Sequence, residues 1–362
     1  MFQIEQEIED YLNTEIRDID GAVGWFCIDF PEEILISFGL TPIRLIPDPA
    51  PIIVDSLLDS NFCPYIRANL GNAHSGHYDF LDGLVLVNTC DGMRRLFDGW
   101  KRFSKTPFTH LFELPRHITE GGIKFYRQSI LRLVSDIEDF FSLKMDEEKL
   151  SDAIRLTNRT RFLLKELYGR YNENPGTLEY QVVQQFILAS TILPKPRINK
   201  LLEYLLSEKQ DTKDGEGKSP NILIIRNIME NSEFVSFLES CGAHISYDDL
   251  CTGSRLFHDD IPEDLPPLDA LCLHFANRIP CSRMKEANRR IEHITDLIRQ
   301  YRIDGVVSYT QKFCDPYLYD IPLIKRNLKA IGIPALFVET DYSPRLSGQL
   351  RTRIEAFMEM IE

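Results

Sequence analysis

Gly83-Leu84-Val85-Leu86-Val87-Asn88-Thr89-Cys90-Asp91-Gly92 decides the fold class. Its four consecutive branched residues do not alternate with polar ones, so the strand they predict over 83–88 is buried on both faces, as in a parallel sheet covered by helices. Residues 108–113 read as a further buried strand, and a helical stretch follows each of the two. Upstream, Pro31-Glu32-Glu33-Ile34-Leu35 reads as a helix start, because proline suits the first turn and acidic residues suit its positive end. Gly39 stops that helix, and Ile43-Arg44-Leu45-Ile46 reads as the next strand.

From about residue 121 to 208 the sequence turns to long helices. Asp146 to Tyr171 is the clearest, with Leu156, Leu163 and Leu167 on one face and Leu164 and Tyr168 beside them. This spacing predicts core packing. Residues 209–220 are polar and rich in glycine and charge, which predicts an exposed linker and a domain boundary near 210–220. Beyond it the strand–helix rhythm resumes. Strands are expected at Ile222–Ile225, His244–Tyr247, Gly305–Ser308 and Ala335–Val338. Helices are expected at Glu233–Glu239, Leu268–Arg278, Met284–Tyr301, Tyr319–Ile331 and from Gly348. The expected organisation is an N-terminal α/β domain over 1–120, a helical connecting region over 121–210 and a C-terminal α/β domain over 211–362.

Composition narrows the function classes. At 362 residues the chain has room for two or three domains, and 43% hydrophobic with 27% charged residues is ordinary for a globular protein. No apolar run approaches the length that spans a bilayer. A formal charge of −14 repels nucleic acid and anionic membranes, and no basic patch is segregated in the sequence. The acidic start, Met1-Phe2-Gln3-Ile4-Glu5-Gln6-Glu7, lacks the basic and apolar regions of a secretion signal, so a cytoplasmic protein is expected. In that setting eight cysteines without a CxxC pair point to thiols or metal ligands in preference to disulfides.

Three cysteines stand out. Cys63 opens Cys63-Pro64-Tyr65-Ile66-Arg67; Cys90 follows the strand at 83–88; Cys314 follows Gly305-Val306-Val307 in Lys312-Phe313-Cys314-Asp315-Pro316. Cys90 and Cys314 therefore lie just past the carboxyl ends of strands, where open α/β sheets form their binding crevice. Thiolates brought there from separate segments suit a soft metal or an iron–sulfur cluster. Three ligands on a four-iron cubane leave one iron open to substrate. Position alone also accommodates a plainer reading, since free cysteine packs as a small hydrophobe.

The chain resembles the 2-hydroxyacyl-CoA dehydratase and benzoyl-CoA reductase family over nearly its whole length. The resemblance rests on Pro31-Glu32-Glu33, Cys63, Cys90-Asp91, Asp248-Asp249-Leu250-Cys251-Thr252-Gly253-Ser254-Arg255, Asp304-Gly305-Val306-Val307, Lys312-Phe313-Cys314-Asp315-Pro316 and Thr352-Arg353-Ile354-Glu355-Ala356-Phe357, in that order. It implies two flavodoxin-like, Rossmann-like parallel-sheet domains plus helices, with a 4Fe-4S cluster held between them by Cys63, Cys90 and Cys314. It further implies an (R)-2-hydroxyacyl-CoA dehydratase or acyl-CoA reductase subunit of anaerobic metabolism. In such enzymes a separate ATP-hydrolysing iron–sulfur activator injects one electron, which yields a ketyl radical on the acyl-CoA substrate. Members usually pair two related subunits as a heterodimer. Arg226-Asn227 stands where the family turn after Ile222–Ile225 is expected to begin with glycine.

The remaining candidates divide by chemistry. Cys251 reads either as a thiol beside the cluster or as a ligand of a larger, double-cubane cluster; Cys27, Cys241, Cys272 and Cys281 read as core or surface thiols. His74 and His77 read as a solvated loop pair, with cluster tuning or proton transfer as the other possibility. Asp91 and Asp315 read as helix caps. Arg351 and Arg353 read as surface salt-bridge formers, with a CoA phosphate as the alternative partner. No Walker A sequence is present, so the chain is not expected to hydrolyse ATP. Against the CoA-thioester enzyme stand a double-cubane reductase of small molecules and a non-catalytic electron-relay or structural subunit.

Overall fold

The computed structural model describes residues 4, 6, 7, 10, 11, 14–48, 52–174, 177–208, 219–225, 228, 229, 232–342 and 346–361. Most of the expected linker and the Arg226-Asn227 turn lie outside them. Two four-stranded parallel sheets carry the fold. The first contains β1 (Ala22–Trp25), β2 (Thr41–Arg44), β3 (Gly83–Asn88) and β4 (Phe108–Glu113); the second contains β5 (Asn221–Ile225), β6 (His244–Asp249), β7 (Gly305–Gln311) and β8 (Ala335–Thr340). Their orders, β2-β1-β3-β4 and β6-β5-β7-β8, are the same once numbered within each half. That is the flavodoxin-like arrangement, with its switch point between the first and third strands of each sheet. The expected α/β class with two parallel sheets and added helices is the observed one.

Burial follows strand position. In β3, Leu84, Val85, Leu86 and Val87 are all fully buried, as an unbroken apolar run requires. At the sheet edge, β4 alternates, with Phe108, His110 and Phe112 buried and the residues between them half-exposed. No strand is expected at β1 from the sequence, although Ala22 to Ile28 is an unbroken apolar run that includes Gly24. A Cβ there would sit 3.0 Å from Leu45 and Leu81, so the close packing of this strand calls for glycine.

Helices Glu120–Phe141, Glu147–Glu173, Tyr180–Ala189 and Lys195–Ser207 occupy the stretch between the sheets. The 27-residue helix Glu147–Glu173 starts at Asp146, whose carboxylate accepts from Glu148 N–H at 2.9 Å. About 40 Å long, it touches both halves. Arg161 pairs with Glu33 of the first at 2.6 Å, and Tyr168 donates to Asp248 of the second at 2.5 Å. Its buried face also takes in Ile154 and Thr157, while Leu156 sits at the margin, half-exposed. No described helix is long and apolar enough to cross a membrane.

Candidate functional site

Cys63, Cys90 and Cys314 each occupy the N-cap of a helix: Pro64–His74, Asp91–Phe103 and Asp315–Ala330. The local sequence explains this. Pro64 and Pro316 fix backbone angles suited to a first turn, and Asp91 and Asp315 add acidic side chains at the positive helix ends. The aspartates are thus first-turn residues, and the cysteines hold the cap positions expected for the aspartates. Helix N-termini aimed this way offset part of the cost of a buried thiolate.

These helices meet at a cavity of about 240 Å³ between the two sheets. All three cysteines line it, and so do Cys27, Cys251 and Cys281. The thiols fall into two sets whose members feel one another's charge: Cys63, Cys90 and Cys314 in one, Cys27, Cys251 and Cys281 in the other. Tyr317 links them. It lies in the first turn after Cys314, and its hydroxyl is 3.6 Å from Cys251 Sγ. Cys27 and Cys281 are therefore cavity thiols, not the expected core or surface thiols; Cys272 is buried in helix Pro267–Asn277, away from the cavity.

The second set has fainter sequence signals. Cys27 lies two residues past β1, the strand that sequence reading misses. Cys251 lies two residues past β6, at the corresponding edge of the other sheet. Cys281 follows helix Pro267–Asn277, and no strand marks it; Arg290 holds it by donating to its carbonyl at 3.0 Å.

Electrostatics make the cavity a costly place for bare thiolates. Burial raises the Cys90 thiol and pushes Cys251 up to about 11, with Arg255 opposing the latter. Cys27 goes well above its ordinary value, through burial first and then the charge of Asp29 and the other two thiols. Cys314 does likewise, through the adjoining Cys63 thiol first and burial second. Such groups ionise readily only with cations among them.

Two guanidinium groups, Arg44 and Arg283, also line the cavity. Arg283 donates from Nη1 to the Pro115 carbonyl at 2.8 Å, and Asp29 stands 3.6 Å from its Nη2 as a distant counter-charge. Its buried Nε and Nη2 have no hydrogen-bond acceptor. Among the described residues no three His, Cys, Asp or Glu side chains converge closely enough to hold a single metal ion. Soft donors spread around a chamber of this size, with buried N–H groups awaiting an acceptor, fit a multi-iron sulfide cluster better than one ion.

The loop carrying Cys251 is pinned from below. Asp248 accepts from Leu250 N–H at 3.0 Å, Ser254 N–H at 2.9 Å, Tyr168 at 2.5 Å and Tyr180 at 2.8 Å. Asp249 binds Arg255 through both oxygens, at 2.5 and 2.6 Å. Other candidates lie elsewhere. His74 and His77 are at the far end of helix Pro64–His74, about 16 Å along from Cys63, where His74 packs on Phe103 and His77 faces Asp48 at 3.8 Å. Arg351 pairs with Glu233, and Arg353 donates to the Phe337 carbonyl at 2.8 Å.

Comparison with known proteins agrees with this architecture. The family profile described as 2-hydroxyglutaryl-CoA dehydratase, D-component, matches residues 27–361. The chain is 25% identical over 345 residues to the (R)-phenyllactyl-CoA dehydratase beta subunit of Clostridium sporogenes, covering 94% of this chain and 91% of that one. It is 24% identical over 349 residues to the (R)-2-hydroxyglutaryl-CoA dehydratase beta subunit of Acidaminococcus fermentans, covering 94% and 92%. A benzoyl-CoA reductase subunit of Thauera aromatica is 21% identical over 339 residues, covering 91% and 87%. With the profile covering strands β2 to β8 and all six cavity cysteines, the chain belongs to the 2-hydroxyglutaryl-CoA dehydratase D-component family.

Proposed function

We propose that the thiol-lined cavity holds an iron–sulfur cluster and that the chain is the cluster-bearing subunit of a dehydratase- or reductase-type enzyme. The observation that carries this reading is the meeting of Cys63, Cys90 and Cys314, each at a helix N-terminus, in one cavity between two parallel sheets. A cluster bound there would supply a low-potential electron and an iron without a thiolate, open to a substrate oxygen. The chain's own residues supply the setting. Three helix N-termini and the Arg44 and Arg283 guanidinium groups offset negative charge, while Phe26, Ile28, Phe62 and Ile66 keep much of the lining dry. The relatives act on CoA thioesters by name, which supports an acyl-CoA substrate. Their designation as subunits supports a second, related chain, and the sequence's lack of a phosphate-cradling loop supports a separate ATP-hydrolysing activator.

The second cysteine set favours a further reading. Three thiols suffice for a single 4Fe-4S cubane with an open iron, yet six line this cavity. Six suit a double-cubane cluster held by one triad at each end, and with it a reductase of small molecules. Anaerobic reconstitution with iron and sulfide analysis separates the cases: about four irons per chain supports the single cubane and about eight the double cubane. Failure to retain either, with the fold intact, overturns the cluster assignment. Electron paramagnetic resonance with and without candidate acyl-CoAs then tests the substrate, since binding at the open iron alters the spectrum.

A further inference from the structure

Gln311 ends β7 and is fully buried. Its Oε1 accepts from the Cys63 thiol at 3.2 Å and from Tyr65 N–H at 3.3 Å, thereby joining the second sheet to the first turn of a helix in the other half. Its Nε2 is buried without a hydrogen-bond partner. An amide donor left unpaired in a protein interior costs roughly 1–3 kcal/mol, so a fixed Gln311 with an idle donor calls for an explanation. The hydrogen bond seen here needs a proton on Cys63. A metal-bound thiolate has none and can only accept.

We propose that Gln311 is the positioning residue for Cys63: with a cluster bound, its amide turns over and Nε2 donates to the Cys63 sulfur. This deepens the iron–sulfur reading above and rests on it. Half a turn about the terminal side-chain bond exchanges Oε1 and Nε2, which brings the idle donor to the sulfur without moving the chain. Tyr65 N–H then needs a new acceptor. Tyr65 is the second residue of a helix capped by Cys63, and a cap side chain commonly accepts from that N–H. The thiolate thus accepts from Gln311 Nε2 and from Tyr65 N–H, which donates to Oε1 when Cys63 is a thiol. Hydrogen bonds to cluster sulfurs stabilise the reduced, more negative state, so this contact raises the cluster potential.

The test compares wild type, Gln311→Met and Gln311→Glu after anaerobic reconstitution. Methionine keeps the length and removes both functions; glutamate keeps the acceptor for Tyr65 and removes the donor. The readouts are iron content, midpoint potential and exchangeable-proton couplings in the reduced cluster's electron–nuclear double resonance. Both variants should bind iron, shift the potential negative and lose one exchangeable coupling assigned to the amide by ¹⁵N-glutamine labelling. An unchanged coupling and potential in either folded, iron-loaded variant would overturn the proposal. Should wild type itself retain no iron, the iron–sulfur reading fails first, and the proposal falls with it. If methionine prevents folding, the glutamate variant decides alone, through the coupling its added charge does not mimic.

Discussion

Arg44, the last residue of β2, donates to the backbone carbonyl of Cys251 at 2.6 Å, so the edge strand of one sheet holds a cavity thiol on the loop beyond the other. Its guanidinium also sits over Trp25, 5.4 Å from the ring centre, and is almost wholly buried.

Arg44→Met tests this bridge. Methionine preserves the packed stem but deletes the donor and the cation, and a hydrogen bond from a charged group contributes about 1.5–3 kcal/mol. The metal-free variant should lose about that much unfolding free energy, seen as a lower urea midpoint with an unchanged slope. A stability equal to wild type would mean that the two sheets are held together elsewhere.

Gly253 offers a second structural test. A Cβ at this position would lie 1.9 Å from Asp248 Oδ1, the atom that accepts from Leu250 and Ser254 N–H. Gly253→Ala should therefore displace Asp248 or the loop, costing about 3 kcal/mol. It should also lower iron retention if Cys251 is a ligand. Native-like urea unfolding of the alanine variant would refute the tight fit.

Different parts of this molecule are legible in the sequence for different physical reasons. β3 shows as an unbroken apolar run and β7 opens on Gly305-Val306-Val307, and the thiols just past them, Cys90 and Cys314, lie where sheet topology directs ligands. Cys63 has no strand before it, and its place at the cavity depends on helix Pro64–His74 reaching over from the first half. Cys27 is hard to read because it lies inside the apolar run Ala22 to Ile28, where a cysteine passes for a core residue. Cys281 has no local signal at all. It reaches the cavity through the packing of two helices and the grip of Arg290, neither of which leaves a periodic trace in the sequence. Asp248 belongs to a recognisable motif, but the two tyrosines that donate to it come from distant helices, and no local pattern announces them.

The two thiol sets make separable predictions. Cys90→Ser and Cys251→Ser both alter loop or cap positions outside the strands, so both should leave the fold largely intact. If one cubane is held by the first set, Cys90→Ser loses iron and Cys251→Ser keeps about four per chain. In a double cubane, both variants fall below about eight. Iron and sulfide analysis with circular dichroism distinguishes these outcomes from simple unfolding.

Acid stability tests the long helix that spans both halves. Burial alone would raise the pKa of Glu33, but the Arg161 guanidinium at 2.6 Å and the Thr157 hydroxyl at 2.9 Å outweigh it and hold it below the ordinary value. As pH falls, the unfolded chain therefore takes up this proton before the folded one does. The pair's stabilisation is fully present above about pH 4.3, the ordinary glutamate value, and is lost as pH drops through the lower folded value. Neighbouring Glu32 is shifted upward by burial, with Lys195 opposing, and contributes a slope of the opposite sign. Because Glu32 is present in both proteins, comparing wild type with Glu33→Gln largely isolates Glu33. At neutral pH the variant should be less stable by about 3 kcal/mol, since it leaves Arg161 nearly buried without its counter-charge. That gap should close as urea midpoints are followed from pH 5 towards pH 3, and a gap independent of pH would show that Glu33 and Arg161 do not act as an ion pair.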